Sequence, residues 1–260
     1  MKKTFASTKY PKLKLYSREH AQLLTTLRDS LIKTSPVQIV FTPNAEQIVQ
    51  ASRDEQFAKI LSSADFLLAE SGPALAQRFL HRLDNSQPIA TKFAGIDVVQ
   101  ELIQMGNDLN FPILIIGGKN YPQESGVVSL QLAPTTQKNS LHWLSGYDNV
   151  SSPTEQEEQM VKNTIQKLQP KIIFVAFGAP WQEQWIVEHR ALLSEQDVRI
   201  AMAVGGSFDV LLGKLQRAPQ WMRSLYLEWL YRLIQEPWRW KRQLRLLEFG
   251  LLILKAAAKK

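Results

Sequence analysis

Short apolar runs recur through the first 213 residues, each closed by small or polar residues and separated from the next by a stretch of helical periodicity. Val37-Gln38-Ile39-Val40-Phe41 reads as a buried strand ended by Thr42-Pro43-Asn44. Ala45 to Leu61 then sets Ile48, Val49, Phe57, Ile60 and Leu61 at helical spacings. Phe66-Leu67-Leu68-Ala69 leads into a helix from Pro73, and Gly95 to Asn107 reads as another. Pro112-Ile113-Leu114-Ile115-Ile116 is a strand closed by Gly117-Gly118. A helix around Gln123 to Leu132 and a weaker strand over Ser140 to Leu144 follow. The amphipathic stretch Glu155 to Leu168 runs into Lys171-Ile172-Ile173-Phe174-Val175-Ala176-Phe177, the strongest strand of the chain. A helix after Pro180 and a strand over Arg199 to Val204 complete the series, and only the basic beginning is read as loose. Strands separated by helices of this length predict an α/β protein with a parallel sheet and helices on both faces.

Charge divides the chain where the apolar alternation stops. From Lys214 onward 11 Lys and Arg stand against 3 Glu, whereas the preceding residues carry 20 basic and 21 acidic groups. Four of the seven tryptophans, Trp221, Trp229, Trp238 and Trp240, fall in the same basic tail. The expected organisation is therefore an α/β body over 1–213 and a basic, Trp-rich helical appendage over 214–260. A neutral body with such a tail points to a polyanionic partner: a membrane surface, a nucleic acid or a phosphorylated substrate. Without a helix-turn-helix or RNP signature, nucleic acid is not the expected one. No run reaches the ~20 apolar residues of a membrane span; the longest candidate, Phe249 to Ala258, is interrupted by Lys255. The start has no apolar stretch behind its lysines, so no signal peptide is read. The absence of cysteine excludes a disulfide scaffold, a thiolate zinc site and a Cys nucleophile, and suits a cytoplasmic location.

In open α/β sheets ligands sit at the carboxyl ends of strands, so the strand-end turns are where chemistry is sought. These are Thr42-Pro43-Asn44, Glu70-Ser71-Gly72, Gly117-Gly118-Lys119, Gly178 to Glu183 and Gly205-Gly206-Ser207-Phe208-Asp209. Glycine lets backbone N–H groups approach an anion, and several such turns together suit a nucleotide diphosphate, although a Gly-Gly pair also simply makes a tight turn. Neither G-x-G-x-x-G nor a P-loop is present. The four histidines are scattered without metal-ligand spacing, and no G-x-S-x-G elbow occurs.

The ordered set Thr42-Pro43-Asn44-Ala45-Glu46, Ala94-Gly95-Ile96-Asp97, Ile115-Ile116-Gly117-Gly118, Phe174 to Glu183, Ala203 to Lys214, Arg217 to Met222, Glu228 to Leu233 and Gln235-Glu236-Pro237 resembles the WecG/TagA/CpsF glycosyltransferase family. That resemblance, in register from about Val37 to Arg242, implies a Rossmann-like α/β body with a C-terminal helical appendage that contacts the membrane. It implies an inverting hexosyltransferase that moves an N-acetylmannosamine-type sugar from a UDP donor to a polyprenyl-diphosphate-linked acceptor. It further implies polysaccharide biosynthesis for the bacterial cell envelope at the inner face of the cytoplasmic membrane, as a peripheral protein, with no metal or other cofactor.

Residue by residue, the resemblance places Glu70 on the family's candidate base, an Asp in a Pro-Asp-Gly-x-Gly segment. Here the side chain is one methylene longer and lacks the preceding Pro and the second Gly. This departure admits an alternative, a catalytically inactive UDP-sugar-binding protein on the same fold. Gln182 matches an active-site Gln. Thr42 and Asn44 match sugar- or acceptor-binding positions, although Asn44 is also a natural helix cap. Lys92 takes a position usually held by Arg, and Asp97 is either a ligand or a cap. Gly117, Gly118, Gly205, Gly206 and Asp209 are the nucleotide-loop candidates, Asp209 serving a ribose hydroxyl or the turn. Arg217, Arg232 and Arg239 match basic positions that meet a diphosphate. Leu225, Trp229, Leu230 and Leu233 form an apolar stripe, either packed on the body or set on anionic lipid.

Overall fold

A computed structural model describes residues 10–33, 36–84, 91–118 and 141–258. In chain order the elements are α1 (His20–Ile32), β1 (Gln38–Phe41), α2 (Ala45–Ala51), α3 (Glu55–Ser62), β2 (Phe66–Leu67), α4 (Ser71–Asp84), α5 (Gly95–Asp108), β3 (Ile113–Gly117) and β4 (Leu141–Leu144). There follow α6 (Glu155–Leu168), β5 (Ile172–Ala176), α7 (Trp181–Glu188), α8 (Arg190–Glu195), β6 (Ile200–Ala203), α9 (Ser207–Leu211), α10 (Gln220–Ser224), α11 (Glu228–Gln235), the 3-10 turn Pro237–Arg239 and α12 (Trp240–Ala257).

The six strands form one parallel sheet in the order β2-β1-β6-β5-β3-β4, with Ile39 opposite Ala201, Phe174 opposite Met202 and Ile115 opposite both Phe174 and Trp143. Because side chains alternate across a strand, each run feeds two cores. Ile39, Phe41, Leu114, Ile116, Ile173 and Val175 pack with Phe57, Leu61, Val161, Ile165 and Trp185 on one face. Val40, Ile113, Ile115, Phe174 and Met202 pack with Leu23, Leu27, Val98, Leu102 and Phe208 on the other. The parallel α/β architecture expected from the alternation, and the Rossmann-like body that the resemblance implied, are thus present.

Local boundaries differ in three places. The segment before β1 is not loose throughout: Leu23, Leu27 and Leu31, spaced by four, bury one side of α1. The single helix expected over Ala45 to Leu61 is two, because the Asp54 carboxylate accepts the Phe57 N–H at 3.0 Å and starts α3 afresh. Helix α4 begins at Ser71, two residues before Pro73. The helix expected around Gln123 to Leu132 lies outside the described residues.

The basic tail is not separate from the body. Phe249 and Leu252 of α12 form a third apolar cluster with Ala45, Ile48 and Val49 of α2 and Ala76 of α4. Arg53 pairs with Glu248 at 2.9 Å across the same contact. By contrast, no residue of α11 is fully buried, and Leu225, Trp229, Trp221 and Trp238 are exposed. The stripe through Trp229 is therefore only partly packed.

Candidate active site

The carboxyl ends of β1, β2, β5 and β6 open onto a cavity of about 1230 Å³, at the edge of the sheet where α/β folds take ligands. Its far side is closed by the tail, through Arg217, Tyr226, Glu228, Trp229 and Arg232. Strand β1 delivers Thr42 and Asn44 to this space. Asn44 also makes the capping box expected of it: its side chain accepts the Gln47 N–H at 3.1 Å, and the Gln47 side chain accepts the Asn44 N–H at 3.1 Å.

Glu70 follows β2. Its backbone N–H reaches the Pro43 carbonyl and its own carbonyl starts the first turn of α4. Its carboxyl group is pushed up to about 7 from the usual carboxylate range, first by burial and then by the Glu228 carboxylate. A hydrogen bond from the Gly95 N–H and the charge of Lys92 act the other way without cancelling the shift. Glycine at 95 allows a close approach: a Cβ there would lie 3.0 Å from Thr42 Oγ1 and 3.4 Å from Glu70 Oε1. Thr42, Glu70 and the start of α5 therefore form one tight cluster. Ser71 Oγ donates to Glu228 Oε2 at 3.4 Å, tying α11 to the same place.

Gln182 is almost fully buried, and its amide is committed on both sides. Its oxygen accepts the N–H groups of Gly178 at 3.2 Å and Gly205 at 3.0 Å. Its nitrogen donates to Glu183 Oε1 at 2.8 Å, which also accepts Gln47 Nε2 at 2.8 Å. This network joins the ends of β1, β5 and β6. Glu183 is 1% exposed, its second oxygen has no hydrogen-bond partner among the described residues, and burial pushes its carboxyl group up. Gly178 and Gly205 both have positive φ, at 81° and 51°, and nothing stands within 4 Å where a Cβ would be. Their backbones therefore border open space in the cavity.

The two arginines are held by carboxylates. Arg217 Nη2 lies 2.6 Å from Asp97 Oδ1, which fixes Asp97 as a partner of the tail. Arg232 Nε is paired with Glu236, and its Nη2 lies 3.7 Å from Asp209 Oδ2. A guanidinium carries five donors, so each keeps donors beyond these pairs. Lys92 is engaged with the tail: Nζ donates to the Arg223 carbonyl at 2.8 Å and sits 4.4 Å from the Tyr226 ring centroid, a cation–π contact that holds the 223–226 turn. Gly117 ends β3 opposite Ala176 and its carbonyl accepts Trp143 Nε1 at 2.7 Å.

Of the residues singled out from sequence, Thr42, Asn44, Glu70, Gly118, Gln182, Gly205, Gly206, Asp209, Arg217 and Arg232 border this cavity. Lys92, Asp97 and Gly117 are not part of its lining. Arg239 closes the 3-10 turn, and its side chain lies outside the described ones. Sequence reasoning did not single out Glu228, Tyr226, Gln47 or Glu183. Both Glu228 and Glu183 stood within the quoted motifs, Glu183 between Gln182 and Gln184 but Glu228 between the apolar Leu227 and Trp229. Among the described residues no three His, Asp or Glu groups are arranged to hold a metal ion.

A family model described as glycosyl transferase WecG/TagA/CpsF family matches residues 10–260. A Bacillus subtilis (strain 168) protein is 34% identical over 217 residues, 84% of this chain and 79% of its own length; it is named N-acetylglucosaminyldiphosphoundecaprenol N-acetyl-beta-D-mannosaminyltransferase. Proteins of the same name from Staphylococcus aureus (strain MRSA252) and Bacillus spizizenii (strain ATCC 23059 / NRRL B-14472 / W23) are 28% and 27% identical. They cover 85% and 83% of this chain and 80% and 78% of their own lengths.

Proposed function

The chain belongs to the WecG/TagA/CpsF family of glycosyl transferases, and on that premise we propose that it moves an N-acetylmannosamine-type sugar, with inversion, from a UDP donor to a polyprenyl-diphosphate-linked acceptor in bacterial surface polysaccharide synthesis. The relatives' printed names support the transferred sugar and the lipid-linked acceptor. The observation that carries the mechanism is Glu70, a carboxyl group with its proton affinity raised to about 7 beside a cavity bordered by two arginines.

In this reading the acceptor hydroxyl attacks the anomeric carbon from the face opposite the diphosphate. Glu70 takes its proton as the new C–O bond forms, and the bond to the UDP oxygen breaks. A base whose proton affinity lies near the working pH both is ionised and retains driving force for the transfer. Arg217 and Arg232 meet the charge that develops on the departing diphosphate, where preorganised donors stabilise most. They take the part a metal ion would otherwise play. Thr42, beside Glu70, orients the acceptor hydroxyl. Gln182 is a positioning residue: it fixes the Gly178 and Gly205 backbones that border the donor space.

The tail also serves attachment. No helix among the described residues is long and apolar enough to cross a membrane. Exposed Trp221, Trp238 and Trp240 beside the surplus of basic groups suit an anionic lipid surface. Each basic group there adds about 1 kcal/mol, so the protein acts peripherally at the inner face of the cytoplasmic membrane.

The test is UDP release from UDP-N-acetylmannosamine, with and without a prenyl-diphosphate-linked GlcNAc acceptor, in wild type and Glu70→Gln. Acceptor-dependent release that falls by about a hundredfold or more in the variant is expected. Release unchanged in Glu70→Gln moves the base elsewhere. UDP binding without release under any condition replaces the reading with that of an inactive UDP-sugar-binding protein.

A further inference from the structure

The cavity is larger than one soluble ligand needs, and its two ends differ in chemistry. At about 1230 Å³ it exceeds the ~300–1,000 Å³ of a usual small-molecule site. Over the strand ends it is polar. Beyond Glu70 it runs out between α4 and α12, where Leu75 and Phe79 from one helix and Phe249, Ile253 and Leu254 from the other border it.

The pattern on each helix explains why this end is apolar. Leu75 and Phe79 stand four residues apart on α4, and Leu83 continues the row; on α12, Leu246, Phe249 and Ile253 recur at three- and four-residue intervals, with Leu254 next to Ile253. Phe249 is buried against α2, but Leu75, Phe79 and Leu254 remain 53%, 43% and 60% exposed at the rim. Gly250 widens the passage, since nothing stands within 4 Å of where its Cβ would be. From Ser71, beside Glu70, to Leu83 the α4 row extends about 18 Å at ~1.5 Å per residue. An apolar channel that starts at the proposed base and leads outward needs an occupant that is polar at one end and hydrocarbon beyond it.

We propose that the α4–α12 groove binds the first isoprene units of the acceptor's lipid chain, so that the chain leaves the site between Phe79 and Leu254. The assignment rests on the glycosyltransfer reading above, because only a lipid-linked acceptor places hydrocarbon in line with a hydroxyl at Glu70. The groove then does two things. It holds the diphosphate sugar in register with the base, and it selects acceptors with a long prenyl chain over the same headgroup on a short one.

The experiment compares GlcNAc-diphosphoundecaprenol with the same GlcNAc-diphosphate on a short water-soluble alkyl chain, both in mixed detergent micelles. Wild type is expected to show a lower KM for the long acceptor. Phe79→Ser and Leu254→Ser should each collapse that preference by about tenfold, the scale of losing one large apolar contact. Their rim exposure keeps the thermal midpoint near that of wild type. Leu247→Ser and Leu251→Ser are controls: both residues are exposed on α12 yet outside the cavity, and their variants should keep the preference. Retention of the preference in Phe79→Ser and Leu254→Ser overturns the groove. Equal loss in all four variants overturns it too, in favour of general contact between α12 and the lipid phase. Equilibrium binding of the radiolabelled long acceptor without donor reads the groove independently of turnover. If wild type transfers sugar to neither acceptor, the glycosyltransfer reading fails. The groove then stands or falls on whether wild type binds the long acceptor about tenfold tighter than Phe79→Ser does.

Discussion

Replacing Glu70 by Gln should stabilise the fold at neutral and alkaline pH while removing activity. A carboxyl group with its proton affinity raised to about 7 in the native state, against an ordinary value of 4.5, is protonated when folded and ionised when unfolded over that interval. The native state then binds more protons than the unfolded one, so stability falls as pH rises from 4.5 to 7 and is flat above it. At ~1.4 kcal/mol per pH unit the whole interval amounts to about 3 kcal/mol. Glutamine keeps the shape and an oxygen that accepts the Gly95 N–H, but it has no charge to desolvate and none for Glu228 to repel.

The expected result is a variant equal to wild type near pH 4.5 and more stable by up to about 3 kcal/mol at pH 8. For a chain of this length each kcal/mol moves Tm by ~2–4 °C, so the gap at pH 8 is roughly 6–12 °C. Thermal unfolding followed by circular dichroism at the two pH values measures it directly. If the two midpoints differ by the same amount at both pH values, Glu70 does not hold its proton more tightly in the folded protein. The argument for it as a base tuned to neutrality would then be lost, whatever the variant's activity. Such a trade, in which a catalytic group destabilises its own fold, is common at active sites.

Three further outcomes test the surroundings. Glu228→Gln removes the like charge that helps raise Glu70, so the rising limb of the pH–kcat/KM profile should move to lower pH; an unmoved limb denies the coupling. Gly95→Ala inserts a methyl 3.0 Å from Thr42 Oγ1, and should lower kcat by about tenfold with little change in Tm; unchanged turnover would mean that Thr42 and Glu70 tolerate displacement. Arg232→Lys keeps the charge but loses the planar fork. The donor KM should rise by about tenfold, and further in Arg232→Ala, the scale of one charged hydrogen bond; a wild-type donor KM in Arg232→Lys would exclude bidentate diphosphate contact.

How much of this was legible in the sequence follows from the range of each interaction. The strands were legible because runs such as Ile172–Val175 are buried on both faces and leave an unbroken apolar signature. Helix α1 was not, since three leucines spaced by four make only a narrow stripe among polar neighbours, which becomes a core contact once Phe66 and Val98 lie opposite. The break at Asp54 carried a cap signal that the flanking periodicity masked. The site divides in the same way. Thr42, Glu70 and Gln182 stand in strand-end turns, and register with the family singled them out there. The pairings were not legible: the Gln182 amide spans Gly178, Gly205 and Glu183, and Asp97 meets an arginine 120 positions later. Composition and spacing carry no information about such pairs until the sheet order brings the loops together.

The tail's place beside the cavity has a physical consequence for Glu70. The two largest influences on Glu70 are burial and the Glu228 charge, and Glu228 comes from α11. Tyr226, Trp229 and Arg232 close the same side of the cavity from the tail, while Lys92 fixes the 223–226 turn through one hydrogen bond and one ring contact. Leu227 and Leu230 beside them are only half-buried and no residue of α11 is fully buried, whereas Phe249 and Leu252 of α12 are buried against α2. The firm anchor is therefore α12, and the segment over the base is held mainly by polar contacts that water can replace. Lifting that segment would let water reach Glu70 and carry Glu228 away, and both changes lower its proton affinity toward that of an ordinary carboxylate. In the proposed mechanism Glu70 is therefore tuned to neutrality only while the tail is seated, so the raised proton affinity of Glu70 is itself a readout of tail docking.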